Sequence, residues 1–288
     1  MSQQTLNRQT PDGQGGGQPD GQPRASIVAR TLRGDRWWLQ PLVIAIGFSA
    51  FVVYSTWSAF DHPLVFAQVA GSASPHREFY ANPYLSPFYS PCFTDGCPSN
   101  IQWGQVDFWH WLSPALYILI FPLSFRATCY YYRKAYYRSF WLSPPACAVS
   151  EPHGKYTGET RFPLLINNIH RYTWYFACIF AGILTWDAIM SFDYNGHFFL
   201  GVGTLVLCVN ASLIWCYTLG CHSCRHITSG RLNHFSKHPI RYRWWTLVSR
   251  LNHRHQLWAW ASLVWVAVAD LYIRLVSTGI ITDYHHVF

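Results

Sequence analysis

PLLINNIHRYTWYFACIFAGILTWDAIM, residues 163–190, is the stretch whose reading decides the fold. From Tyr172 to Met190 it carries a single charged side chain, Asp187. A helix needs about 20 mostly apolar residues to cross the hydrocarbon layer of a bilayer, and this one has them. Four further segments meet the same requirement: 39–60, 106–125, 197–220 and 255–277. The predicted fold class is therefore all-α, an integral membrane bundle of five transmembrane helices occupying 31–288. Pro41, Pro114 and Pro122 lie in or near the first two crossings, where neighbouring helices can satisfy the backbone groups that Pro frees. The link after residue 190, SFDYNG, reads as a tight Asn-Gly turn. No internal repeat is visible.

Composition agrees with the membrane reading. Half of the residues are apolar and only 12% are charged, against roughly 25% in soluble domains. The 15 Trp and 18 Tyr gather near the ends of the apolar runs, the depth at which amphipathic rings meet lipid headgroups. The opening residues, MSQQTLNRQTPDGQGGGQPDGQP, hold almost nothing that could form a core. Residues 1–30 are predicted to be a disordered tail. They show no charged start, apolar stretch and small-residue cleavage site, so insertion is expected to rest on the internal helices.

Five crossings place the termini on opposite sides, and the basic residues say which is which. Five precede the first crossing, six lie in 126–162 and seven in 221–254, together 18 of the 21. By the positive-inside rule the tail and both loops are predicted to be cytoplasmic and the C-terminus outside, in a bacterial cell (inner) membrane. The net charge of +8 is thereby explained without nucleic acid, and it suits anionic lipid or an acidic partner. The outer loop 61–105 contains SPFYSPCFTDGCPSN, in which Cys92 and Cys97 are candidates for a disulfide.

Chemistry-bearing residues concentrate at the cytoplasmic end of the fourth crossing, in LGCHSCRHITSG (219–230). If the helix continues through it at about 100° per residue, His222 and His226 share a face, while the two cysteines and two histidines together spread over about 200°. A second segment must then complete any site. Cys129, Cys147 and His170 lie at the same membrane face. Two Cys with two His suit structural zinc or a Rieske-type [2Fe-2S] centre, and His pairs from different helices suit haem. Spacing alone does not separate these. Cys178 and Cys208, mid-helix among apolar neighbours, read as packing.

TCYYYRKAYYRSFWLSPPACAVSEPH (128–153), YTGETRFPLLINNIHRYTWY (156–175) and LGCHSCRHI (219–227) resemble the membrane anchor subunit of actinobacterial succinate dehydrogenase, respiratory complex II, over nearly everything after the tail. The resemblance implies a haem-free, five-helix anchor that docks a flavoprotein subunit and an iron–sulfur subunit on its cytoplasmic face. It also implies a Rieske-type [2Fe-2S] cluster in the membrane and electron delivery to quinone, with menaquinone expected. The ligand pool it implies is Cys129, Cys147, Cys221, His170, His222 and His226, four of which would bind. Succinate oxidation itself falls to a partner subunit, and a higher oligomer is allowed.

A quinone needs a mostly apolar cleft with a few polar groups. One candidate lies at the cytoplasmic face near Arg171, Trp174, Arg250, His253 and His255. The other lies near the outer face, where Asp107, Trp109 and His110 approach Trp186 and Asp187. Asp270 and Arg274, four apart, read as a structural ion pair. Two rival readings remain: an anchor containing haem b, and a non-redox transporter, which the lack of inverted repeats disfavours.

Overall fold

The structure, a computed structural model, describes residues 33–60, 80–93, 102–103, 113–152, 164–230 and 232–288. The tail 1–30, Cys97, Asp107, Trp109 and His110 lie outside the described residues. In chain order the elements are α1 (Leu39–Phe60), a small hairpin of β1 (Tyr80–Ala81) and β2 (Tyr84–Leu85), then α2 (Pro114–Ile118), α3 (Ile120–Thr128) and α4 (Tyr130–Ala135), which runs into a π-helical turn at Tyr136–Phe140. There follow α5 (Leu164–Met190), β3 (Asp193–Tyr194), β4 (His197–Gly201), α6 (Val202–Leu219), α7 (His222–Ser229), α8 (Pro239–His253), α9 (His255–Ser277) and β5 (His285–Val287).

Four described helices are long and apolar enough to cross a membrane: Leu39–Phe60, Asn168–Met190, Val202–Leu219 and His255–Ser277. Their bounds follow the apolar runs closely. Segment 106–125 differs. Its described helix begins at Pro114, the first residue of α2, continues to Thr128 and is interrupted at Leu119. Pro122 accounts for the interruption, because it has no N–H for the Ile118 carbonyl and its ring crowds that oxygen. The apolar helical stretch Ala115–Thr128 is shorter than a full crossing.

Segment 197–220 also differs, since its first five residues are strand β4 and helix begins only at Val202. The cause is the predicted turn: Asn195 and Gly196 have φ of 53° and 84°, and two successive positive φ values make the turn that closes a hairpin. β4 then pairs antiparallel with β3 on one side and β5 on the other. The expected all-helical bundle thus carries a small sheet at the end opposite the basic loops.

Helix α6 packs against both α5 and α9, and α3 lies against α5. α1 is peripheral, with only Pro41, Ser58 and Ala59 buried. Asp270 fixes it to the bundle: this carboxylate accepts from Tyr54 at 2.6 Å, Ser58 at 2.7 Å and Arg274 at 3.0 Å, and also from Ser86. The Asp270–Arg274 ion pair is structural, as its spacing suggested.

At the sheet end a glycine lets a ring approach. A Cβ on Gly203 would stand 2.4 Å from the Tyr84 ring, and that ring is held by a 2.6 Å hydrogen bond from its hydroxyl to Asp283. Gly203→Ala is therefore expected to destabilise by about 1–3 kcal/mol through overpacking, outweighing the up to about 1 kcal/mol that Ala gains in helix propensity. Thermal unfolding of the detergent-solubilised protein measures this, and an unchanged midpoint would contradict the close approach.

Candidate functional site

Two cysteines occupy equivalent positions at the basic end of the bundle. Cys129 separates α3 from α4 with φ −66° and ψ 136°, and Cys221 separates α6 from α7 with φ −64° and ψ 142°. Both are extended residues that cap the following helix, where first-turn N–H groups are unsatisfied. The Cys221 sulfur accepts from the Ser223 N–H at 3.3 Å. Both thiols are buried, at 1% exposure each, in one core with Cys224, Phe125, Trp174 and Tyr217. Burial pushes the Cys129 thiol up, against the opposing pull of Tyr217 and first-turn N–H groups, and pushes the Cys221 thiol up to about 12. Such sulfurs become thiolates only when a cation compensates them.

His170 of α5 reaches the same place. Its Nε2 lies 3.2 Å from the Cys221 sulfur and its Nδ1 2.9 Å from the Thr128 hydroxyl. That hydroxyl gives its single proton to the Ser124 carbonyl at 2.8 Å, so its oxygen accepts from Nδ1–H. The tautomer follows: Nε2 carries the lone pair and points at the sulfur. An outer hydrogen bond fixing a histidine in this way is what a metal-binding imidazole needs.

Behind these groups runs a stack of rings. Phe125 lies on His170 at 4.6 Å and 5°, Tyr217 is 5.2 Å from Phe125, and His255 lies on Tyr217 at 5.0 Å and 12°. Nδ1 of His255 is buried here without a hydrogen-bond partner, and the Tyr217 hydroxyl stands beside the Cys129 sulfur. Arg126 places its guanidinium 4.9 Å above the Tyr217 ring and donates to the Tyr132 hydroxyl at 2.6 Å and to Ser262 at 3.1 Å. Arg126, Tyr217 and the ligand-like character of His255 did not emerge from the sequence. Their signals were faint: a basic residue counted for orientation, a Tyr among many, and a histidine assigned to quinone.

The remaining predicted residues separate into groups. His222 and His226 share a face of α7, as their spacing required, with ring centroids 4.3 Å apart. Both are exposed, and desolvation together with His226 and Arg225 pushes the His222 imidazole down. The helix breaks at Gly220–Cys221, so Cys221 does not share the turn geometry of a continuous helix. Cys147 is exposed and sits in a separate cleft. Among the described residues no group of three or more His, Cys, Asp or Glu side chains closes on one point.

Of the first quinone set, Trp174 donates to the Thr218 carbonyl at 3.0 Å and His255 stacks on Tyr217, while Arg171, Arg250 and His253 are exposed. In the second set, Asp187 is buried and accepts from Ser90, with its other oxygen unpartnered, and Trp186 borders a surface groove with Trp103. Cys92 is disulfide-bonded. An apolar cavity of about 70 Å³ lies between α3, α5 and α6 beneath the cysteine site, bordered by Leu123, Phe180, Arg126 and Tyr217.

Helices long and apolar enough to span a bilayer, with buried thiols gathered at one end, define a membrane protein of helical type. Residues 39–279 match the family model for actinobacterial succinate dehydrogenase subunit SdhC, and the chain belongs to that family. A chain of the Mycobacterium smegmatis Sdh1 complex in the apo form is 49% identical, with a TM-score of 0.76, and the match covers 90% of this chain and 95% of that one. No curated protein matches the chain.

Proposed function

We propose that this chain accepts electrons from an iron–sulfur subunit of succinate dehydrogenase, docked on the basic cytoplasmic end beside the flavoprotein subunit, and delivers them to quinone in the membrane. Cys129, Cys221 and His170 would hold a Rieske-type [2Fe-2S] cluster, with His222 or His255 as the fourth ligand. The observation that carries this is the pairing of two buried cysteines at helix breaks with an imidazole nitrogen 3.2 Å from one of them. The donor set fits, since such clusters take two thiolates on one iron and two imidazoles on the other. When bound, the cluster supplies a one-electron couple. The protein's part is to aim first-turn N–H groups at the sulfurs, to fix His170 through Thr128, and to keep Arg126 nearby as a half-buried positive charge, each of which tunes the potential.

Haem is the weaker reading, because the space between the buried imidazoles of His170 and His255 is filled by Phe125 and Tyr217. Quinone is expected at the apolar cavity beside Arg126 and Tyr217. The cavity is smaller than the ~300–1,000 Å³ usual for ligand pockets, so its apolar wall, Leu123 and Phe180, must yield on entry. A fifth crossing is proposed for the chain around α2 and α3, with the N-terminus cytoplasmic and the C-terminus outside.

Iron and acid-labile sulfide analysis of the purified complex, with its EPR spectrum after reduction by succinate, tests the reading. A Soret band without labile sulfide beyond that of the partner would overturn it. Thr128→Val keeps the shape and removes the oxygen that fixes His170. Iron retention is expected to weaken by about 10- to 100-fold, as when a supporting hydrogen bond to a ligand is lost. Parallel single replacements of His222 and His255 by Ala identify the fourth ligand by which one changes the EPR signal.

A further inference from the structure

A second cleft, of about 230 Å³, opens at the basic end between the segment leading into α1, the helix α4 with its π-helical turn, and the turn at Cys147. Its walls bring together four cations, Arg33, Arg36, Lys134 and Arg138. Asp35 is the one acidic side chain on these walls, and both of its oxygens are engaged by Arg33, which also donates to the Cys147 carbonyl at 2.9 Å. Arg36, Lys134 and Arg138 have no carboxylate partner among the described residues. Nε of Arg138 and the Ser139 hydroxyl are buried without a hydrogen-bond partner, and both residues line the cleft. Burial and the neighbouring Arg138 push the Lys134 ammonium down. Half-buried cations of one sign gathered in one cleft, with Nε of Arg138 buried, favour an anion between them.

The other walls tell what carries that anion. Trp37 and Trp260 border the cleft, and Ile44 continues it more than a turn into α1. Further along α1 the outer surface is apolar and open, with Ile46 61% and Val53 70% exposed. A headgroup on the cations would thus have apolar helix surface beside the cleft for acyl chains. An acidic loop of a protein would use the cations and leave that descending wall bare.

We propose that this cleft binds the phosphate of an anionic phospholipid through Arg36, Lys134 and Arg138, with the acyl chains laid along α1. The site is separate from the cysteine centre and does not rest on the redox reading.

The test uses the intact complex, purified and exchanged into detergent, with dioleoyl phosphatidylglycerol and dioleoyl phosphatidylcholine as probes and native mass spectrometry as the readout. Phosphatidylglycerol is expected to be retained in preference to phosphatidylcholine. In R36Q/K134Q/R138Q its affinity is expected to drop by about tenfold or more, the factor that one charge-assisted hydrogen bond carries. R36Q alone, which alters an exposed side chain and leaves folding untouched, is expected to weaken binding severalfold. Equal retention in both variants would overturn the proposal. So would displacement of the lipid by inorganic phosphate at matching concentration, which would mark a free-anion site. Carbodiimide coupling of Lys134 to a carboxylate of another subunit in intact membranes would show a protein interface there, and would overturn it too.

Discussion

Cys221→Ala is expected to remove quinone reduction from the complex while leaving succinate oxidation by an artificial dye intact, because the dye draws electrons from the soluble subunits upstream. The loss should exceed the roughly 10- to 100-fold that follows when only a supporting partner of a ligand is removed. Cys129→Ala should behave in the same way, since both cysteines stand at the N-cap position of a helix break and lie in one core. The structural cost is smaller than the functional one. Losing the cap of α7 costs about 0.5–2 kcal/mol, too little to dismantle a bundle whose spanning helices are untouched. Cys178→Ala is the control, as that thiol is half-buried on α5 outside the cysteine pair. Quinone reductase assay and EPR of the three variants decide the matter: if all three retain activity and signal, the two sulfurs are not ligands.

The parts of this arrangement legible in the sequence were those written as runs or as special backbone chemistry. The crossings at Leu39–Phe60 and His255–Ser277 match their apolar segments end to end, and the Asn195–Gly196 turn was announced by one of the few residue pairs that accept two positive φ values cheaply. Helix α8 was not announced. Its sequence, PIRYRWWTLVSRLNH, is basic and mostly exposed, with Val248 its one buried residue, so it lacks the wide apolar stripe that marks a packed helix.

The site was half legible for a related reason. Residue type singled out Cys129, Cys221 and His170, but their meeting depends on two helix interruptions. The one at Cys221 had a local sign in Gly220, where a Cβ would lie 2.6 Å from the Cys216 carbonyl and 3.2 Å from Nδ1 of His255. That glycine admits α9 close to the end of α6, which is how His255 enters the group. The break at Cys129 follows a Thr and has no such sign, so tertiary packing alone specifies it.

The largest stability effect is expected far from this centre, at Asp270. Its carboxylate is fully buried and accepts from Tyr54 and Ser58 of α1, from Ser86, and from Arg274. Asp270→Ala leaves three hydroxyls without their acceptor and breaks the ion pair with Arg274, which is only 4% exposed. Removing one partner of a buried pair costs about 3–5 kcal/mol. Arg274 can still donate to the Ser58 carbonyl at 2.8 Å, but a neutral carbonyl does not replace a carboxylate. Asp270→Ala, Arg274→Ala and the double variant together measure the coupling of the pair, and the double loss is expected to be smaller than the sum of the two single losses. Unfolding in mixed detergent measures all three. If the two single effects simply add, the pair is not coupled and the account fails. Because α1 buries little else, the loss should appear first there, as faster labelling of a cysteine introduced at Ser55 in Asp270→Ala than in the parent.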